Sequence, residues 1–131
     1  MIKATELRIG NYVYEEVLGT CSVSDICEHV VMCKVGNVEL DGTIGTKTYT
    51  LNYSCITSIP LTEEWLLKFG FENVGYFKFW GARYFYKGIC IYLIDNEFRF
   101  YYQTNRAFTI YDSVHETQNL FSALGEELTI K

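Results

Sequence analysis

The chain holds a single proline, Pro60, and the run around it constrains the fold more than any other stretch. That run is Ser58-Ile59-Pro60-Leu61-Thr62-Glu63-Glu64-Trp65-Leu66-Leu67-Lys68-Phe69-Gly70-Phe71. Pro60 biases Ile59 towards extended geometry. Thr62 is a good N-cap, because its hydroxyl can accept from a free amide of the first helical turn. Glu63 and Glu64 then sit where the helix dipole favours negative charge. Their chemistry is that of a helix start rather than of an acid–base pair. Trp65, Leu66 and Phe69 recur at helical spacing and form one apolar face. Gly70 suits the left-handed residue after a helix, and Phe71 the apolar contact beyond it. The spacing predicts a bridging helix over 62–69, too short to be stable alone. It must be held by packing between the two halves of the chain that flank it.

The N-terminal half reads as short strands. Leu7 and Ile9 alternate, Gly10-Asn11 shifts the phase, and Tyr12 and Tyr14 flank Val13. A glycine in such a pattern marks a bulge or a close backbone approach. Cys21–Cys27 is a strand interrupted at Asp25, and Glu28-His29 a tight turn. Val30–Val35 comes next, with Val31, Cys33 and Val35 on one face. Gly36-Asn37 reads as a turn, Val38–Leu40 as a short strand, 41–45 as a loop, and Thr48–Leu51 and Cys55–Ile59 as extended pieces. Short strands at this spacing predict a small β-barrel over residues 1–60, with an SH3-like barrel as first choice.

The C-terminal half, over 61–131, reads as that helix, an antiparallel meander and one packed helix. Asn73-Val74-Gly75 is a linker. The strands are Tyr76–Trp80, Arg83–Lys87, Ile89–Ile94, Phe98–Gln103 and Ala107–Tyr111. Gly81-Ala82, Lys87-Gly88, 95–97 and 104–106 supply turn residues. Phe98, Phe100 and Tyr102 face inward with Ile89, Ile91 and Leu93, and Phe85 opposes Tyr84 and Tyr86. The other face then collects Tyr84, Tyr86, Tyr92, Arg99, Tyr101 and Gln103. Two readings stand for it: packing against the N-terminal barrel or a second copy, or a ligand- or partner-binding surface. Ser113-Val114-His115-Glu116 fits a capping box. Val114, Thr117, Leu120, Phe121 and Leu124 mark the buried stripe of the ensuing helix, His115 falls off it onto the solvent side, and Gly125 ends it. Leu128 and Ile130 alternate as an edge strand. The class is α+β, and the two halves fit one compact unit.

Composition bounds the function. No run is long enough for a membrane span, and the first residues lack an apolar signal region, which points to a cytoplasmic protein. Five cysteines (Cys21, Cys27, Cys33, Cys55, Cys90) form an odd set without a C-x-x-C pair, and two histidines cannot complete a zinc pattern. Reduced, mostly buried thiols and no metal or other cofactor are expected. The formal net charge is −5, whereas a non-specific nucleic-acid binder carries a basic surplus. No phosphate loop, dinucleotide fingerprint or nucleophile elbow is present. The chain is therefore expected not to be an enzyme. The aromatic share, 17% with eleven tyrosines, is the unusual quantity. Tyrosine joins a large apolar body to a polar tip and can fill a sheet wall or furnish a binding surface.

Three stretches, in this order and spacing, resemble a family of small proteins encoded by phages and integrated elements of Bacteroidetes-type bacteria. They are Leu7-Arg8-Ile9-Gly10-Asn11-Tyr12-Val13, then Ile59 to Phe71, then Val114-His115-Glu116-Thr117-Gln118-Asn119-Leu120-Phe121 running on to Gly125-Glu126-Glu127-Leu128. Thr117 stands where that pattern has a leucine. The resemblance implies a bacterial or phage cytoplasm and an accessory role, and brings no activity with it. Three functions compete on these terms. A protein-interaction module, with a host or phage protein or the chain itself as partner, uses tyrosine as interface residues favour it. A nucleotide-type ligand would stack on the aromatics, with Arg83, Arg99 and Arg106 meeting phosphates. Single-stranded nucleic acid could use an aromatic platform, but the acidic balance opposes it.

Overall fold

In the computed structural model, which describes residues 2–38, 44–77, 81–87, 89–94, 97–102, 105–110 and 113–130, the run around Pro60 forms the helix its sequence encodes. Helix α1 spans Glu63–Lys68. The Thr62 hydroxyl accepts from the Trp65 amide at 3.3 Å. At the other end Gly70, at φ +97°, donates to the Leu67 carbonyl, and Phe71 donates to the Leu66 carbonyl, both at 3.0 Å. These two bonds satisfy carbonyls that a helix end otherwise leaves bare. Trp65, Leu66 and Phe69 are buried, as their spacing requires.

Before α1 lie β1 (Tyr12–Glu15), β2 (Gly19–Ile26), β3 (Val30–Val38), β4 (Ile44–Asn52) and β5 (Ile56–Thr57), in one antiparallel sheet of order β4-β3-β2-β1-β5. A 3₁₀ turn, Tyr53–Cys55, separates β4 from β5. No pairing joins β4 to β5 among the described residues. The core of this half holds Ile2, Leu7, Val13, Cys21, Val23, Val31, Cys33 and Ile56. The period-2 alternation of Cys21/Val23 and Val31/Cys33 puts these on one face. The interruption at Asp25 is a register shift between Val23 and Asp25 against β3. Three local expectations are corrected. Leu7 and Ile9 precede the first strand, and Ile9 is exposed while Leu7 is buried. Gly10, at φ +96°, turns the chain there, and its amide donates to the Val23 carbonyl. Gly36-Asn37 is not a turn: β3 continues through it, paired with β4 up to Val38 opposite Ile44. Of the strand expected over Val38–Leu40 and the loop over 41–45, Val38 instead ends β3 and Ile44 and Gly45 open β4, while 39–43 lie outside the described residues.

After α1 come β6 (Glu72–Phe77), β7 (Gly81–Tyr86), β8 (Ile89–Ile94), β9 (Glu97–Tyr102) and β10 (Asn105–Ile110), an antiparallel meander in sequence order. Asn73-Val74-Gly75 is part of β6 rather than a linker. Gly75 at φ +114° makes a bulge there, and the Asn73 side chain accepts from its amide at 3.0 Å. Gly81-Ala82 opens β7 instead of forming a turn, and Asn105 and Arg106 open β10. Residues 78–80, Gly88, 95–96, 103–104 and 111–112 lie outside the described residues.

Helix α2 spans Val114–Ala123. It closes as α1 does: Gly125 (φ +87°) donates to Ser122 and Glu126 to Phe121. The capping box expected at its start does not form. The Ser113 hydroxyl is buried and caps nothing; its residue bridges to Pro60, and its carbonyl accepts from Thr117 Oγ1 at 2.9 Å. That bond satisfies the Thr117 hydroxyl inside the buried stripe. His115 is buried, not solvated, and Gln118 is buried beside it. The stripe is wider than the apolar spacing alone indicates. The tail makes no strand: Leu128 is buried, but Ile130 is exposed, with its amide donating to the Tyr12 hydroxyl at 3.3 Å. The Gln118 amide group joins the halves. Its oxygen accepts from the Tyr12 amide (2.8 Å), and its nitrogen donates to the carbonyls of Gly10 and Leu128 (3.0 Å each). Asn119 accepts from the Asn11 side chain (3.0 Å) and donates to the Glu6 carbonyl (2.7 Å).

Candidate functional site

The C-terminal sheet has one face committed to the core, and the turn between β7 and β8 decides which. Lys87 takes φ +47°, a left-handed conformation suited to a tight connection, and Tyr86 pairs with Ile89 across it. Directly paired residues share a face. Ile89 is core, so Tyr86 is core too, and Tyr84 with it two residues back. Both are buried, together with Ile91 and Phe98. The register also sets Phe100 opposite Ile91 and Tyr102 opposite Ile89.

The helices fill this inner face. Tyr86 lies 5.1 Å from Phe71 and 6.5 Å from Phe121, and Phe71 meets Phe121 edge-on at 5.4 Å (ring centroids). Trp65 and Phe69 reach Tyr12 of β1 at 5.4 and 6.1 Å. Tyr84 donates its hydroxyl to Glu63 at 2.7 Å. Burial, with that carboxylate, pushes the phenol well above its ordinary pKa. Glu63 thus anchors α1 to β7 as well as complementing the helix dipole.

The five residues singled out from the sequence therefore divide. Tyr84 and Tyr86 are core residues, a correction whose cause is the turn register. Tyr92 and Arg99 share the outer face, and of Tyr101 only the backbone is described, paired opposite Cys90. Gln103 lies outside the described residues, and of Arg106 only the backbone is described. Two residues join that face from β7: Arg83, and Phe85, which alternation alone places inward. Pairing sets Arg83 opposite Tyr92 and Tyr92 opposite Arg99, three residues abreast. The next row runs Phe85, Cys90, Tyr101, and Ile94 stands opposite Glu97. Arg83, Phe85, Cys90, Tyr92, Ile94 and Arg99 are all partly buried. The Arg99 guanidinium lies 3.6 Å from the Glu97 carboxylate. A two-residue hairpin loop, applied to Lys87-Gly88, is the sequence signal that finds Arg83 and Phe85.

This arrangement offers planar donors and aromatic surface on a rigid ladder. Nucleophilic chemistry has less support. Burial raises the Cys33 thiol to about 11, and Cys21 is also raised. Such thiols stay protonated and poorly reactive at neutral pH. Cys27 and Cys90 are partly buried and Cys55 is exposed, so fewer thiols are buried than expected. Among the described residues no group of three or more His, Cys, Asp or Glu could hold a metal ion, and no helix is long and apolar enough to cross a membrane. Comparison with protein-family models, with curated proteins and with solved structures gives no match to this chain.

Proposed function

We propose that the chain is a non-catalytic accessory protein of the phage and integrated-element type, working in the bacterial cytoplasm by binding another protein. The observation that carries this reading is the row Arg83–Tyr92–Arg99 across β7, β8 and β9, with Phe85, Cys90 and Tyr101 beside it. Arginine and tyrosine dominate interface energetics. On paired strands they lose little further freedom when a partner docks. Two guanidiniums on a chain of net charge −5 favour a partner surface bearing carboxylates. The N-terminal sheet is read as an SH3-like barrel. Its strand order, the β1–β5 pairing and the 3₁₀ turn before β5 support that reading. Native mass spectrometry of protein purified gently from a bacterial host tests the function. The expected result is a defined complex, with a second protein or a second copy, that is lost in the Tyr92→Ala/Arg99→Ala double variant. A bare monomer, or a complex indifferent to those substitutions, would overturn it.

The same row favours one other reading. An aromatic ring between two guanidiniums can stack a base and pair its phosphates. Thermal-shift measurements with mono-, di- and cyclic nucleotides decide it, and no shift at millimolar ligand removes it.

A further inference from the structure

A second surface feature lies away from the C-terminal sheet, where the 3₁₀ turn Ala4–Glu6, the end of β5 and the first turn of α2 meet. It is a cleft of about 270 Å³ lined by Ile2, Glu6, Thr57, Ser58, His115 and Glu116. Its floor is unusual. His115 is only 2% exposed, and neither ring nitrogen has a hydrogen-bond partner among the described residues. A buried polar group left unpaired costs about 1–3 kcal/mol, so a partner arriving through the cleft recovers that energy. Burial holds the imidazole below its ordinary pKa, against the opposing pull of Glu116 and Glu6. Both carboxylates are therefore within electrostatic reach of the ring, and the ring is neutral at pH 7. A neutral imidazole presents one bare acceptor nitrogen.

The rim decides the ligand's charge. Glu6 and Glu116 are exposed there, and among the described residues no basic side chain lines the cleft. The helix dipole at the start of α2 would favour an anion, but Glu116 in the first turn already answers it. An anion entering would meet two carboxylates and an acceptor nitrogen. A cation carrying N–H donors satisfies all three. The volume is at the small end for ligand sites and suits a head group rather than a nucleotide. We propose that this cleft binds a primary ammonium group, paired with Glu6 and Glu116 and donating a hydrogen bond to His115. The ammonium could be carried by a free alkyl diamine or by a lysine side chain.

The test follows the His115 ring resonances by NMR at pH 7.5 and constant ionic strength, with His29 as internal control. The probes are 1,4-diaminobutane and Nα-acetyl-lysine amide, and sodium acetate is the anionic control. The expected result is a saturable shift of His115 with at least one amine, none with acetate, and affinity lowered roughly tenfold in Glu6→Gln/Glu116→Gln. The amine should also lower the pH at which His115 titrates, because proton and ammonium oppose each other there. Response to the diamine alone assigns a free amine, and response to the lysine amide alone assigns a protein side chain. No saturable shift with either amine, or an equal response to acetate, would overturn the proposal even if the double variant failed to fold. So would a shift unchanged in that variant.

Discussion

Tyr84 and His115 both bury polar atoms, but among the described residues only Tyr84 has a hydrogen-bond partner. The Tyr84 hydroxyl is spent on Glu63, so Tyr84→Phe is expected to cost about 1 kcal/mol, read as a lower urea midpoint at unchanged slope. His115 makes stability depend on pH. Its folded pKa lies below the ordinary value of about 6.5, so the unfolded chain binds the proton more readily. Its contribution is complete above that ordinary value and is lost as pH falls towards the folded pKa. Melting temperatures of wild type and His115→Gln should therefore converge as pH drops from 7 to 5. Parallel curves would contradict this. Neither burial is legible in sequence. Tyr84 and Phe85 are both large and apolar, so alternation does not say which points inward. His115 escapes detection because the apolar spacing of α2 traces only the centre of its buried face.

At the scale of the element, local chemistry is legible wherever the chain answers it within a few residues. Thr62, Gly70 and Gly125 take the roles their types predict, because caps are closed by neighbours three to five positions away. The capping box at Ser113 does not form, and that residue instead bridges to Pro60, far away in the chain. Removing a large ring from α1 tests how much the fold depends on that helix's packing. Trp65→Ala and Phe69→Ala are each expected to cost about 3–5 kcal/mol by chemical denaturation. Gly81 is the tightest of the described glycines in the meander. It sits at φ +72°, and a Cβ there would collide with the Leu93 carbonyl oxygen. Gly81→Ala should destabilise by more than about 1 kcal/mol, measured the same way.

Across the whole molecule, the stretches 6–12, 59–71 and 114–128 meet. Gln118 and Asn119 of α2 bond the backbone and side chains of the 6–12 run, and Trp65 and Phe69 pack on Tyr12. These contacts join the two sheets. Partners separated by 106 to 113 residues cannot be paired from sequence. Gln118→Ala leaves one amide and two carbonyls unpaired and should cost roughly 3 kcal/mol, with the two sheets unfolding in separate transitions. A single transition of near-normal stability would refute the joint. The α+β class and the meander are readable because both arise from short-range alternation and turn residues. Which face of the meander is core is not readable, and the proposed binding surface depends on it. Equilibrium urea unfolding of Tyr84→Ala and Tyr92→Ala tests that division most directly. The expected loss is about 3–5 kcal/mol for Tyr84→Ala and about 1 kcal/mol or less for Tyr92→Ala. Equal losses, or a larger loss at Tyr92, would mean that the outer face is needed for folding and is not a surface held for a partner.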